Sequence, residues 1–230
     1  MKFWQRIYFT IRTFFKLLHV NFQMLCGSYR IFALPGPIVT IFGGSRFGQD
    51  IVYAKKAHDL AHRFAESGIS VLTGGGSGIM QAASCGARIH QCEKGKTLGI
   101  GVTTLHEPKN ECLSDYFQVD YFYARKWLLT QYSSAFVVFP GGFGTIDELG
   151  EVLTLIQTGT LKRTPIVLIG REYWQPFMNW VISEALPHKL IAPEDLGLFT
   201  ITDDLTEAFC LVEDKCKIEL NGIIKKKDIR

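Results

Sequence analysis

The first 49 residues contain no aspartate or glutamate, although Lys2, Arg6, Arg12, Lys16, Arg30 and Arg46 all lie there. Any carboxylate chemistry must therefore come from later in the chain. No uninterrupted apolar run approaches the roughly 20 residues that a membrane-crossing helix needs. A secretory leader is not indicated either, because charges interrupt the N-terminal apolar stretch and no small-residue cleavage site follows. Cys26, Cys85, Cys92, Cys112, Cys210 and Cys216 form no C-x-x-C pair and have no histidine at zinc-site spacing. They read as reduced thiols of a cytoplasmic protein, with neither a metal nor a disulfide role. His58 and His62 are four apart on an expected helix, but no third ligand is near. A formal net charge of +3 is too small to argue for nucleic acid. Also missing are the G-x-G-x-x-G dinucleotide fingerprint and the G-x-x-x-x-G-K-[ST] loop of ATP-hydrolysing enzymes. No lysine sits in a context that suggests a pyridoxal-phosphate Schiff base, which excludes that kind of amino acid decarboxylase. Internal repeats and low-complexity segments are absent.

What is present describes a globular chain, with 47% hydrophobic and 20% charged residues over 230 positions. Residues 1–34 form a basic amphipathic appendage. At about 100° per residue, Lys2, Gln5, Arg6, Thr10, Arg12, Thr13 and Lys16 fall on one side of a helix. Phe3, Trp4, Ile7, Tyr8, Ile11, Phe14, Phe15 and Leu18 fall on the other, with Phe9 and Leu17 nearer the polar side. Such an aromatic face packs on the domain or on a second subunit, lies on an anionic membrane surface through residues 3–18, or belongs to a removable targeting segment. Pro35-Gly36-Pro37 marks the boundary with a domain of residues 35–214. Residues 215–230 make a basic tail, in which Lys225-Lys226-Lys227 reads as a solvated terminus.

From Ile38 onward, short apolar runs alternate with helical patterns, which implies βαβ units. Strands are expected at 38–43, 69–73, 98–103, 117–121, 135–139, 165–169 and 199–201. Helices are expected near 50–67, 78–91, 123–134, 145–158, 172–185 and 204–213. The fold class is therefore α/β: a Rossmann-like, doubly wound, mainly parallel sheet of about seven strands flanked by helices.

The chain is organised around residues 135–149. Ala135-Phe136-Val137-Val138-Phe139 reads as a buried parallel strand, and Pro140-Gly141-Gly142-Phe143-Gly144 as a turn rich in glycine. A helix is expected to start at Thr145, with Glu148 three residues later completing a capping box. A helix N-terminus after a glycine turn presents free amides and the positive end of the helix dipole, which suits a phosphate. A carboxylate in the same turn would repel that phosphate unless it points elsewhere, and the sugar attached to the phosphate is its natural target. Two further glycine turns, at Gly43-Gly44-Ser45-Arg46 and Gly74-Gly75-Gly76-Ser77-Gly78, follow strands that end on the same sheet edge. Three such turns favour a pocket for a phosphorylated ligand over mere tight connections.

Pro140-Gly141-Gly142-Phe143-Gly144-Thr145-Ile146-Asp147-Glu148 resembles the PGGxGTxxE signature of the LOG ("Lonely guy") family of nucleoside 5′-monophosphate phosphoribohydrolases, formerly labelled lysine decarboxylases. The resemblance runs from about Val39 to about Phe209. It includes Thr73-Gly74-Gly75-Gly76-Ser77-Gly78-Ile79-Met80, Arg125-Lys126, and Glu151-Val152-Leu153-Thr154-Leu155-Ile156-Gln157-Thr158-Gly159. Asp147 is a departure, since many relatives carry Glu there. The resemblance implies cleavage of the N-glycosidic bond of a purine nucleoside monophosphate, AMP or an N6-modified AMP, with no metal or organic cofactor, by a homodimer. It makes Glu148 and Arg125 the catalytic pair. It makes Gly141, Gly142, Gly144, Thr145, Lys126, Gly75, Gly76, Ser45, Thr154, Glu107 and Asp147 the candidate contacts to substrate or phosphate. Arg125, which stays protonated, is expected to fix the phosphate or ribose hydroxyls and to keep Glu148 ionised. The competing reading is a nucleotide or cofactor carrier of the same fold, which would bind phosphate without needing the acid.

Overall fold

Each short apolar run becomes a strand, because a parallel strand covered on both faces is buried at every position. The computed structural model describes residues 3–88, 96–105 and 107–227, with side chains as far as Ile218. Lys2, the end of the helix expected at 78–91, Cys92, His106 and residues 228–230 lie outside the described residues. The strands are β1 (Ile38–Phe42), β2 (Ser70–Thr73), β3 (Thr97–Val102), β4 (Asp115–Val119), β5 (Ala135–Val138), β6 (Ile166–Ile169) and β7 (Thr200–Thr202). They form one sheet in the order β4-β3-β2-β1-β5-β6-β7, and every neighbouring pair is parallel.

Helices cover both faces. α2 (Val52–Glu66), α3 (Ile79–Ala87) and α7 (Leu205–Lys227) supply Leu60, Phe64, Ile79 and Val212 to one core layer, against Val39, Ile41 and Val137 of the sheet. α1 (Phe3–Phe32), α4 (Phe122–Gln131), α5 (Phe143–Gln157) and α6 (Arg171–Trp180) supply Val20, Ile31, Leu128, Val152 and Trp174 to the other, against Phe42, Leu72 and Phe136. The helix expected at 172–185 divides into α6 and a π-helical turn at Val181–Ala185. α7 runs far past the expected 204–213, and Cys216 is buried in the core.

Two expectations are corrected. Cys85 and Cys112 form a disulfide, with Cα atoms 4.8 Å apart. The crossover through β3 brings α3 beside the loop before β4, a proximity that a separation of 27 residues does not disclose. The aromatic face of residues 3–18 also does not pack on its own domain. Phe3, Trp4, Tyr8, Ile11, Phe14, Phe15 and Leu18 are all exposed.

α2 and α3 touch at Gly86, where an added Cβ would run into the His58 carbonyl, a backbone group that cannot swing aside. Gly150 on α5 has open space where its Cβ would be, and its φ is not positive. Gly86→Ala should therefore lower the unfolding free energy by about 3 kcal/mol, the upper end of overpacking. Gly150→Ala should raise it by about 0.5–1 kcal/mol through helix propensity. Urea unfolding of the two variants checks the contrast; a wild-type midpoint for Gly86→Ala would mean the two helices are not in backbone contact.

Candidate active site

The strands after β1 are added outward through β2 and β3 to β4, and then β5 returns to the other side of β1. This reversal opens a crevice at the carboxyl ends of β1 and β5, where ligands of open α/β sheets sit. The glycine turns after these strands are joined by hydrogen bonds. Gly44 N donates to Pro140 O at 3.0 Å, and Ile79 N donates to Gly44 O at 3.1 Å. Ser77 Oγ donates to Ser45 O at 2.7 Å.

Above them lies a cavity of about 870 Å³. Of the residues singled out from the sequence, Ser45, Glu107, Arg125, Gly141, Gly142, Gly144, Thr145 and Glu148 line it. Arg46, Phe47, Met80, Leu105, Phe122, Phe143, Ile146 and Tyr173 complete the wall. Gly76 borders a narrower cleft beside it, together with Gly74, Tyr116, Glu107 and Arg125. Gly75 serves the backbone: its φ is +76°, and a Cβ there would press on the Tyr116 ring. Lys126, Asp147 and Thr154 do not line the cavity. Thr154 is exposed and donates to Gly150 O one turn back along α5.

α5 begins at Phe143, two residues before the expected start, and Gly142 caps it without a side-chain hydrogen bond. The capping-box reading of Thr145 and Glu148 is therefore corrected. Gly144 already has helical geometry, so Glu148 lies in the second turn of the helix rather than at its third position. Thr145 is buried, and a Cβ on Gly141 would meet its Oγ1 and the Gly44 amide. Gly141 is thus required by the turn itself. Gly142 and Gly144 have nothing within 4 Å of an added Cβ, and neither has a positive φ. Any need for glycine at these two positions comes from what enters the cavity. The first helical amides, those of Phe143, Gly144 and Thr145, have no carbonyl one turn earlier to receive them, and all three residues line the cavity.

Glu148 and Arg125 converge from α5 and α4. Arg125 Nε donates to Ile100 O at 2.9 Å, and its Nη2 lies 3.9 Å from Glu148 Oε1. Their side chains are 10% and 14% exposed, too little for water to solvate either charge fully. Burial pushes the Glu148 carboxyl up to about 7; Arg125 opposes that rise, and the negative charge of Asp147 adds to it. The expectation that Arg125 holds Glu148 ionised is therefore overturned, because desolvation outweighs a guanidinium that makes no close contact. Asp147 turns away from the cavity. Lys126 Nζ lies 2.9 Å from Asp147 Oδ2 and 3.1 Å from Glu151 Oε2. Burial works against the Lys126 charge, but hydrogen bonds to both carboxylates hold its pKa above the usual lysine value. Two of the three acids on α5 thus share one cation outside the cavity, and Glu148 alone lines it.

Several contributors give no signal in the sequence. Asn110 is buried and donates through Nδ2 to Gly75 O and Gly76 O, each at 3.1 Å, which clamps the second glycine turn. The Tyr173 hydroxyl donates to Gly141 O and fixes the third. The disulfide ties α3 to the loop that carries Asn110.

A parallel sheet with glycine turns, helix-end amides and a buried acid–guanidinium pair at its switch point defines a doubly wound α/β protein with a polar crevice at its strand ends. The comparisons narrow this class. Residues 80–212 match the profile of a family described as "Possible lysine decarboxylase". The chain is 34% identical over 183 residues to cytokinin riboside 5′-monophosphate phosphoribohydrolase LOG2 of Arabidopsis thaliana, a match covering 76% of this chain and 82% of that one. It is 28% identical over 191 residues to LOG5 of the same plant, covering 82% of each. The chain belongs to the LOG family. Among solved structures it resembles the molybdenum cofactor carrier protein of Chlamydomonas reinhardtii, with a TM-score of 0.57 and 22% identity over 78% of this chain and 98% of that one. That likeness is one of fold.

A carboxyl raised from 4.5 to about 7 keeps a proton in the folded state that the unfolded chain releases. Its contribution therefore makes the fold less stable as pH rises through that window. Glu148→Gln should match the parent in stability near pH 4.5 and exceed it by about 3 kcal/mol above pH 7, at about 1.4 kcal/mol per pKa unit. Unfolding measured across this range checks it; a difference that does not change with pH would contradict the burial argument.

Proposed function

We propose that this protein hydrolyses the N-glycosidic bond of a purine nucleoside 5′-monophosphate, AMP or an N6-modified AMP of the cytokinin type. The products are the free base and ribose 5-phosphate. The observation that carries this reading is Glu148, an acid that titrates near neutrality in the cavity wall, opposite a fixed guanidinium. The names borne by the LOG relatives supply the substrate class.

In the proposed reaction the phosphate sits on the α5 amides and places the ribose toward Glu148. The C1′–N9 bond breaks, its electron pair leaves with the base, which takes up a proton from solvent, and positive charge develops on the sugar, as in glycosidases. Ionised Glu148 stabilises that charge and takes a proton from the water whose oxygen bonds to C1′. A carboxyl with a pKa near 7 accepts this proton and then releases it to solvent. Arg125 remains a cation throughout and orients phosphate or ribose oxygens. A carrier of the same fold, such as the molybdenum cofactor carrier protein, is the second reading. Binding alone would gain nothing from burying a carboxyl beside the anion site, and this favours the hydrolase.

Purified protein incubated with a panel of nucleoside monophosphates should release free base. The ratio kcat/KM, which follows the free enzyme, should rise with pH up to about 7 and then level, as Glu148 ionises. Glu148→Gln should lose at least about 10²-fold in rate while binding the monophosphate within a few-fold of the parent. Tight binding with no base release from the parent protein would establish the carrier instead.

Gly142→Ala and Gly144→Ala should fold normally, since a methyl group meets no protein atom at either position, and should lose affinity for AMP by calorimetry. AMP should also be turned over far faster than adenosine, because the helix-end amides act only on a phosphate. Unchanged AMP affinity in both variants would move the phosphate site away from this turn.

A further inference from the structure

α1 docks on the domain along one face of its C-terminal half. Val20, Gly27, Ser28 and Ile31 are its buried positions, and Gly27 lets the helix approach Leu128 and Phe117. His19 pairs with Asp120 at 3.1 Å, and Arg30 pairs with Asp115 at 2.5 Å. At about 100° per residue, the side turned away from this contact carries an apolar stripe. Trp4, Ile11, Leu18, Phe22, Leu25 and Tyr29 lie on it and are each 50–78% exposed. The stripe follows a helix of 30 residues, about 45 Å long. It is therefore uncovered even where α1 rests on the domain.

The charges around the stripe indicate what covers it. Arg12 falls about 100° from its centre, and Arg6 and Lys16 fall about 140° to either side, so the cations make the polar face that lies opposite the apolar one. Their long stems can reach back toward an interface while the charges stay in water. α1 has no acidic side chain. Two copies packed stripe against stripe would gain no ion pair between the helices, since neither carries a carboxylate. Exposed Phe3, Tyr8, Phe14, Phe15 and Phe32 flank the stripe and widen it into a face rich in aromatic rings, broader than the narrow aliphatic seam of a coiled coil. Broad aromatic faces flanked by cations suit the headgroup boundary of an anionic bilayer. No described helix is long and apolar enough to cross the membrane.

We infer that α1 is a peripheral anchor for an anionic lipid surface, with its stripe buried at the headgroup boundary and the catalytic domain held on the aqueous side. The geometry fits because the stripe and the domain lie on opposite sides of one helix. Flotation of the full chain with vesicles of phosphatidylcholine containing about three-tenths phosphatidylserine tests this. Binding should be at least about 10²-fold tighter than to phosphatidylcholine alone and should weaken with salt. R6E/R12E/K16E should lose about 10²-fold or more toward the anionic vesicles, and Trp4→Ser with Phe22→Ser should lose binding to both. These side chains are exposed, so the thermal unfolding of each variant should match the parent and exclude misfolding as the cause. Absence of binding by the full chain, or binding that ignores the charge reversal, would overturn the inference. A dimer that Ile11→Glu with Leu18→Glu converts to monomers, without vesicle binding by the parent, would assign the stripe to a second copy.

Discussion

Keeping Glu148 out of water raises the free energy of its charged form, and Arg125 offsets only part of that rise. The guanidinium is 3.9 Å away and already shares its Nε hydrogen with the Ile100 carbonyl. A site held this way needs surroundings that do not relax, because a small movement would let water in and return the carboxyl to its ordinary range. The rest of the fold supplies that rigidity. α4 and α5 join the core layer on one face of the sheet through Leu128, Leu149, Val152 and Ile156, and the three glycine turns are fastened to one another and to Asn110 and Tyr173.

The same need explains how charge is distributed along α5. A helix N-terminus that is to receive an anion should not carry three free carboxylates in its first turns. Lys126 takes Asp147 and Glu151 out of play from the neighbouring helix, and Glu148 alone keeps its acid facing the cavity. A member of this fold that only carries a ligand has no use for that arrangement. The buried acid therefore separates the hydrolytic reading from the carrier reading more sharply than the fold does, since both share the fold.

Much of this was legible in the sequence because it is local. Runs such as Ala135–Val138 and Ile166–Ile169 are apolar throughout, as doubly covered strands must be, and Gly43, Gly44, Gly74, Gly75, Gly76, Gly141, Gly142 and Gly144 mark the strand ends that meet at the crevice. The start of α5 was misplaced because Thr145 and Glu148 mimic a capping box, while Gly142, which has no side chain to signal with, is the residue that caps. The disulfide, the Asn110 clamp and the Tyr173 contact join residues 27 to 35 positions apart, which no local pattern encodes. The titration of Glu148 was misjudged for a related reason. A sequence shows that an arginine is available but not how much water the fold removes.

The nearly neutral pKa of Glu148 also ties occupancy of the cavity to protons. An anion seated on the α5 amides lies close enough to that carboxyl to raise its pKa further, so each binding event draws a fraction of a proton from solvent. By reciprocity, acidification tightens the hold on the anion and alkalinity loosens it. Capture of the anion and ionisation of the acid then pull against each other across neutral pH. The cavity would fill most readily on the acidic side of the point at which its carboxylate is most available.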